Sequence, residues 1–195
     1  DEESRQFYCE VIMDEAAKMN NMVKRLLSLS ELEFGDNKLQ FDRFDIITVL
    51  NSVVGSMNMV YKQKNVISKM SDIKSCYVWA DEYLVEEVIT NYISNALNHV
   101  EEDSNGEKII SVSVKESDST VRVSVFNTGH PIPEEAIERI WDKFYKVDKA
   151  RTREYGGNGI GLSIVKAIMN SLNRECGVNN WDNGVEFWFE LDTKA

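Results

Sequence analysis

The chain has 195 residues, and 22 Lys plus Arg against 33 Asp plus Glu give it a formal net charge of −11. A charge this negative argues against general binding to nucleic acid or to an anionic membrane, because both need a basic surface. We therefore expect no nucleic-acid partner and no membrane contact by this chain. The hydrophobic share of 43% supports a packed core, and the length suits one domain with an appendage or two small domains.

The longest run without a charge, residues 46–61, is too short and too polar to cross a bilayer. Three isolated cysteines (Cys9, Cys76 and Cys176) lack the spacing of a disulfide framework or a zinc site, so we expect buried free thiols. The first residue is Asp1 and not Met, which suggests a piece of a longer protein.

Residues 1–34 have the pattern of one long amphipathic helix. Ile12, Met19 and Leu26 recur every seven residues, with further apolar side chains beside them. Such a seam needs a partner helix, so we expect it to pack on another chain or on a segment outside this one.

Residues 35–195 alternate between helical and strand patterns. Asp45 and Asp81 stand where a helix N-cap is expected. The patterns predict helices over 45–63, 81–100, 134–144 and 160–172, and strands over 38–44, 66–70, 76–79, 108–115, 120–126 and 185–191. We therefore predict an α+β fold: a two-layer α/β sandwich whose mixed, mostly antiparallel sheet is covered by helices on one face, preceded by the long N-terminal helix.

The helix predicted over 81–100 carries an unusual set of amides. Glu87, Asn91, Asn95 and Asn98 are spaced by four, four and three positions, which places them on one helical face. Asn is a poor helix former because its amide competes for backbone hydrogen bonds, so three on one face suggest a bound ligand. An amide oxygen suits Mg²⁺, which shares its oxygen ligands with phosphates. The alternative is a solvated polar face.

A second candidate segment, Phe126-Asn-Thr-Gly-His-Pro131, follows a predicted strand. Gly129 allows a flat ligand to approach the backbone, and the Asn127 amide can recognise a hydrogen-bonding edge. An ordinary turn at the end of a strand is the alternative.

The third segment, Gly156-Gly-Asn-Gly-Ile-Gly-Leu162, lies directly before a predicted helix. Glycines there free backbone amides to point at an anion, and the helix N-terminus adds partial positive charge. The segment lacks the Lys of a Walker loop and the final glycine of a dinucleotide fingerprint. A flexible hinge is the alternative.

A basic stretch precedes these glycines. It contains Lys143, Lys146, Lys149, Arg151 and Arg153, and only Asp148 opposes them. On a chain of net charge −11, such a stretch is a local positive patch that suits a lid over a polyphosphate. Solvated loop charge is the alternative.

Together these segments resemble the catalytic ATP-binding domain of sensor histidine kinases, a Bergerat-type ATPase fold. Residues 90–99 resemble the N box of that family, and residues 126–129 its first glycine box. Residues 140–148 resemble the F box, and residues 157–162 the second glycine box. Residues 22–33 resemble the second helix of the dimerisation hairpin. The resemblance implies a partial hairpin over 1–34 and a catalytic domain over 35–195.

The resemblance also implies ATP and Mg²⁺ as ligands. It places Mg²⁺ at Asn95, with Asn91 assisting at the metal and the phosphates, and Asn127 at the adenine amino group. Asn91, Asn95 and Lys146 would be the catalytic residues. The implied nucleotide-binding residues are Asn95, Asn98, His99, Asn127, Gly129, Phe144, Tyr145, Lys146, Arg151, Gly157, Gly159, Gly161 and Leu162.

The sequence departs from the family pattern at several positions. Asn127 replaces a usual Asp, and Asn98 and His99 stand where Lys and an aromatic residue are common. Neither His99 nor His130 lies in a phosphoacceptor box, so the acceptor histidine is expected on an upstream helix.

We therefore predict the ATP-binding region of a two-component sensor histidine kinase. It would transfer the γ-phosphoryl group of ATP to that histidine, for relay to an aspartate of a response-regulator receiver domain. The resemblance further implies a homodimer through the N-terminal helix, and a cytoplasmic position in a parent protein anchored in the cell membrane. The alternative is a catalytically silent ATP-binding and dimerisation module.

Overall fold

The structure is a computed structural model that describes residues 2–34, 39–147 and 159–194. The chain divides into two compact units, Asp1–Asn37 and Lys38–Ala195. In the first unit, α1 (Glu2–Phe34) is one continuous helix, as predicted. Its seam is accessible, because Ile12 and Met19 expose 66% and 67% of their surface. In the described part of the chain, no helix is both long enough and apolar enough for a bilayer span.

The second unit begins with a short strand and then alternates helices and strands. Its elements are β1 (Asp42–Asp45), α2 (Ile46–Ser56), α3 (Asn58–Gln63), β2 (Val66–Met70), β3 (Tyr77–Ala80), α4 (Glu82–His99), β4 (Lys108–Glu116), β5 (Thr120–Thr128), α5 (Glu134–Ile137), a 3-10 turn (Arg139–Trp141), α6 (Gly161–Ser171), β6 (Cys176–Trp181) and β7 (Gly184–Asp192).

The strands of the described residues form one mixed sheet in the order β1-β3-β7-β5-β4-β2, and β6 also pairs with β7. Only the β2–β4 pair is parallel among these pairings. Alternate residues of the central strands, such as Val123 on β5 and Phe189 on β7, face the core and are fully buried. The helix α4 packs against β5, α2 and α6. The predicted two-layer, mostly antiparallel fold is confirmed.

Two aspartates start helices, as the sequence predicts. The Asp45 carboxylate accepts from the Ile47 amide at 3.1 Å, and the Asp81 carboxylate accepts from the Leu84 amide at 3.2 Å. Each satisfies an amide that the first helical turn leaves without a partner. The second carboxylate oxygen of Asp81 also accepts from the Gln40 amide at 3.0 Å. Asp81 therefore fixes both the start of α4 and the chain segment that leads into β1.

Several sequence predictions are corrected by the structure. The predicted helix over 45–63 is interrupted at Met57, following Gly55 and Ser56, whose hydroxyl bonds the Val53 carbonyl at 2.7 Å. A glycine and a serine that bonds the helix backbone weaken the helix at this point. Residues 39–41 are not part of β1, and the helix predicted over 134–144 is only α5 and a 3-10 turn. Of the cysteines, Cys9 is exposed.

Candidate active site

The amide face of α4 runs from buried to half-buried. Asn91 is 8% exposed, while Asn95 and Asn98 are half-buried. The Asn91 side-chain nitrogen donates to the Glu87 carbonyl at 2.8 Å, which orients the amide on its own helix. Its oxygen therefore points away from the helix axis and can act as a neutral ligand.

The helix α4 is anchored to the sheet through Tyr92, which follows Asn91 directly and lies about a quarter turn from this face. The Tyr92 hydroxyl donates to the Trp188 carbonyl at 3.1 Å, and its ring packs on Phe187 with 5.4 Å between centroids. Burial raises the pKa of the Tyr92 phenol well above its usual value. The neutral tyrosine thus holds the amide face in a fixed place.

The Asn91 oxygen lies against the first residue of α6. A Cβ atom added at Gly161 would lie 3.0 Å from the Asn91 side-chain oxygen, closer than most side chains allow. Ile160 precedes α6, and among the described residues no side chain caps the amides of its first turn. A helix N-terminus in this arrangement is a favourable place for a phosphate group. The structure therefore brings a predicted metal ligand and a predicted phosphate-loop glycine together.

The F-box segment, at Phe144 and Tyr145, contacts Gly159, two positions before Gly161. The Phe144 amide donates to the Gly159 carbonyl at 2.7 Å, and both residues have positive φ angles of 64° and 66°. A Cβ atom at Gly159 would lie 3.1 Å from the Phe144 backbone and from the Tyr145 carbonyl oxygen. Positive φ is costly for phenylalanine, so Phe144 is held in a strained backbone conformation.

The same segment lines a basic cavity of about 460 Å³. Its walls are formed by Arg139, Asp142, Lys143, Phe144, Tyr145 and Lys146. The Arg139 guanidinium lies 4.4 Å from the centre of the Tyr145 ring. Three cationic side chains against one carboxylate make this cavity suitable for an anionic group.

A second cluster lies where β5 ends. Asn127 is 3% exposed, and its side-chain nitrogen donates to the Thr128 carbonyl at 3.1 Å. That bond leaves the side-chain oxygen as the atom that can accept from a ligand amino group. The Thr128 hydroxyl donates to the Glu101 carbonyl at 2.6 Å, which ties the end of β5 to the segment after α4.

Gly129 also belongs to this second cluster. Its φ angle is 148°, and an added Cβ atom would lie 3.1 Å from the His99 carbonyl oxygen and 3.7 Å from the Asn127 side-chain nitrogen. The absence of a side chain at Gly129 therefore lets the backbone after β5 pack closely against the His99 carbonyl, beside Asn127.

Two clusters result, one at each end of the same helix face. Asn91 and Gly161 form the first, and Asn127, Gly129 and His99 form the second. Asn91 and His99 are eight positions apart on α4, about 12 Å at 1.5 Å per residue. Such a span suits a nucleotide, with its phosphates at one end and its base at the other.

The remaining predicted residues are less closely engaged. Asn98 and Leu162 are half-buried on α4 and α6, and Lys146 lines the basic cavity. Arg151 and Gly157 lie outside the described residues.

Sequence reasoning predicted β7 but missed β6, and with it the β6–β7 hairpin at this end of the fold. Asn180 on β6 bonds the backbone of Ile132 twice, and the Asn183 carbonyl accepts from the Gly129 amide at 3.1 Å. The signal was weak: Cys176 and Val178 are two positions apart, and the pair Asn183-Gly184 indicates a turn, which the structure places at Asp182-Asn183.

The side-chain amide oxygens of α4 are also candidate metal ligands. Within residues 2–34, 39–147 and 159–194, no cluster of three or more His, Cys, Asp or Glu side chains can hold a metal ion. Neutral amide oxygens on α4 still suit Mg²⁺, which takes few protein ligands when phosphates supply the others.

The fold and the two clusters define a nucleotide-binding α/β sandwich, and comparison with known proteins identifies it. The chain belongs to the histidine kinase-, DNA gyrase B-, and HSP90-like ATPase family, whose profile matches residues 80–195. ATP is the nucleotide of this family. The resemblance inferred from the motifs is confirmed.

The relatives include sensor histidine kinase WalK of Bacillus subtilis (strain 168). It is 30% identical over 176 residues, which are 90% of this chain and 28% of the WalK length. The catalytic domain of histidine kinase ThkA is 28% identical with a TM-score of 0.67, over 79% of this chain and 96% of that one. ThkA solved with response regulator protein TrrA is 26% identical with a TM-score of 0.74, over 96% of this chain and 51% of that one. This chain thus spans about a quarter to a half of those longer relatives.

Proposed function

We propose that this chain is the ATP-binding catalytic region of a sensor histidine kinase. The γ-phosphoryl group of ATP would pass to a histidine on a helix outside this chain, and then to an aspartate of a response regulator. The observation that carries this proposal is the approach of the Asn91 oxygen to Gly161 at the start of α6. It joins a Mg²⁺-type ligand to a phosphate-binding helix N-terminus, in a chain whose relatives are named histidine kinases.

We assign each end of the site to one part of the nucleotide. Asn95 and Asn91 would hold Mg²⁺, which supplies charge neutralisation at the phosphates when it is bound. Asn127 would accept from the adenine amino group, with Gly129 and His99 beside the base. Lys146, Arg151 and the glycines at 157, 159 and 161 would contact the phosphates, with Phe144, Tyr145, Asn98 and Leu162 lining the site.

The chain's own residues would act mainly by position and charge. The first turn of α6 offers backbone amides to the phosphates without any reorganisation, because its helix geometry is already formed. Lys146 adds a point charge from the F-box side. The phosphorus bond to the β-phosphate oxygen breaks as the bond to the imidazole nitrogen forms, and no residue here is assigned as the base.

The partners follow from the same assignment. Residues 1–34 would be the second helix of a dimerisation hairpin, and residues 35–195 the catalytic domain. The exposed seam of α1, with Ile12 and Met19, supports a homodimer in the longer protein. A response-regulator receiver domain is supported by the ThkA structure with TrrA. The parent protein would be anchored in the cell membrane, with this region in the cytoplasm.

The test is a phosphoryl-transfer assay in which a helix with an acceptor histidine is supplied separately. Purified chain, ATP labelled at the γ position and Mg²⁺ are incubated with a hairpin helix that carries the acceptor histidine of a relative. The proposal predicts an acid-labile, alkali-stable label on that helix, absent when the acceptor histidine is replaced by Ala.

One observation favours a second candidate, a silent ATP-binding module. Asn127 brings no charge to the base, and its side-chain nitrogen is already bonded to Thr128. ATP binding without label on the histidine helix supports this candidate and contradicts the kinase.

A further inference from the structure

The loop that leaves β5 crosses the start of β7 and reaches β6. It begins at Gly129, whose amide donates to the Asn183 carbonyl at 3.1 Å. It ends at Pro133, directly before α5. Because this loop continues directly from Asn127, its path determines the backbone on the base side of the proposed site.

One side chain holds the far end of this loop at two points. The Asn180 side-chain oxygen accepts from the Ile132 amide at 2.9 Å, and its nitrogen donates to the Ile132 carbonyl at 2.7 Å. An amide side chain can make this paired contact because it carries one donor and one acceptor side by side, like a peptide group. Asn180 thus acts as a one-residue strand partner for Ile132.

The position of Asn180 connects this contact to the base. In the sheet register, Asn180 faces Val185, and Val185 faces Asn127 on the next strand. Asn180, Val185 and Asn127 therefore lie in one row across three neighbouring strands. The loop from Gly129 to Pro133 connects the two ends of this row. Asn180 is exposed, so its two bonds are made in competition with water and add little to global stability. A contact of this kind serves local position.

We propose that Asn180 is a positioning residue for the base pocket, which holds Ile132 so that the loop from Gly129 to Pro133 is preformed before the nucleotide binds. This inference rests on the proposed function, because it assigns the base to the Asn127 cluster. A preformed loop spares the ordering cost that a free loop would add to binding.

The test compares two neighbouring asparagines of β6. Asn180→Ala removes both bonds to Ile132, and Asn180→Asp keeps the acceptor but places a carboxylate oxygen against the Ile132 carbonyl. Asn179→Ala is the matched control, because Asn179 is also exposed and its side chain bonds to Glu186, at 2.9 Å, and not to Ile132. Each variant is titrated with ATP and with GTP by displacement of a fluorescent ATP analogue, well below its melting temperature. Amide hydrogen exchange at Ile132 is measured in parallel.

We expect Asn180→Ala to lower ATP affinity about three- to tenfold, and Asn180→Asp to lower it further. Exchange at the Ile132 amide should accelerate in both variants, and the preference for ATP over GTP should fall. The Asn179→Ala variant should match the unmodified chain in all three measurements. A residue that is merely structural would lower the melting temperature but leave the nucleotide preference of the folded protein unchanged.

The outcomes separate this inference from the proposed function. Failure of the unmodified, folded chain to displace the analogue with ATP overturns the proposed function and this inference with it. Normal ATP binding with an unchanged affinity and nucleotide preference in Asn180→Ala overturns this inference alone.

Discussion

The side-chain oxygen of Asn91 lies so close to Gly161 that a Cβ atom there would be only 3.0 Å away. These residues are on α4 and α6, and they are seventy positions apart in the sequence. Their contact depends on the absence of a side chain at residue 161. The site is therefore sensitive to a single methyl group at this position.

Gly161→Ala should lower ATP affinity about tenfold, because the methyl group displaces the Asn91 oxygen from the phosphate end of the site. Gly55→Ala is the control, since Gly55 lies in α2 and an added Cβ would meet nothing within 4 Å beyond the neighbouring backbone of its own helix. It should stabilise the fold by about 0.5–1 kcal/mol and leave ATP affinity unchanged. Calorimetric titration and urea denaturation measure the two effects. Equal ATP affinities in the two variants would refute the role given to this contact.

Asn127→Asp restores the residue usual in the family, yet it should destabilise the chain without nucleotide. A carboxylate cannot donate to the Thr128 carbonyl, and at 3% exposure it is removed from water. The free energy of unfolding should fall by about 1–3 kcal/mol at neutral pH. Urea denaturation checks this loss, and an unchanged midpoint would argue against the bond to Thr128.

Gly184 and Gly177 are both crowded, but by different atoms. A Cβ at Gly184 would overlap the Asn127 carbonyl oxygen, whereas a Cβ at Gly177 would meet the Trp188 indole at 2.6 Å. Backbone cannot move aside, while an indole can. Gly184→Ala should therefore cost about 3 kcal/mol of stability, and Gly177→Ala clearly less. The reverse order in urea denaturation would contradict the packing at the start of β7.

Tyr92 should make the fold sensitive to alkaline pH. Burial raises its pKa well above the usual value near 10, so the folded state favours the neutral phenol. Its contribution is complete below the unfolded pKa and is lost as the pH rises through about 10 towards the folded pKa. Tyr92→Phe should cost about 1 kcal/mol at neutral pH and make the alkaline decline shallower. Denaturation between pH 7 and 11 tests both effects. The pKa of Tyr61 is also raised by burial, so some alkaline loss of stability should remain in Tyr92→Phe. An alkaline decline as steep in Tyr92→Phe as in the unmodified chain would count against this role.

The sequence predicts the helices of this site well, because their local signals are strong. Asp81 caps α4, and glycines directly precede α6. Periodicity and caps do not show that Asn91 meets Gly161, because that contact depends on how two helices pack on the sheet. Family resemblance placed both residues in one site, and the structure adds the distance.

The strand β6 could not be predicted in the same way. Its sequence, Cys-Gly-Val-Asn-Asn-Trp, contains a glycine and two asparagines, which are residues depleted in strands. Pairing with β7 along its whole length makes it a strand. The Asn180 contact with Ile132 was missed for this reason, since its meaning appears only when the hairpin is in place.

The most direct test of the proposed nucleotide site is calorimetric titration with ATP, with and without Mg²⁺, on the unmodified chain and on Asn95→Ala. We expect Mg²⁺-dependent binding that is weakened at least about tenfold by Asn95→Ala. Asn170→Ala, on the exposed side of α6, is the control and should bind normally. The absence of heat at millimolar ATP from a folded chain would contradict the account, and would indicate that Asn127, Asn98 and His99 mark a degenerate site.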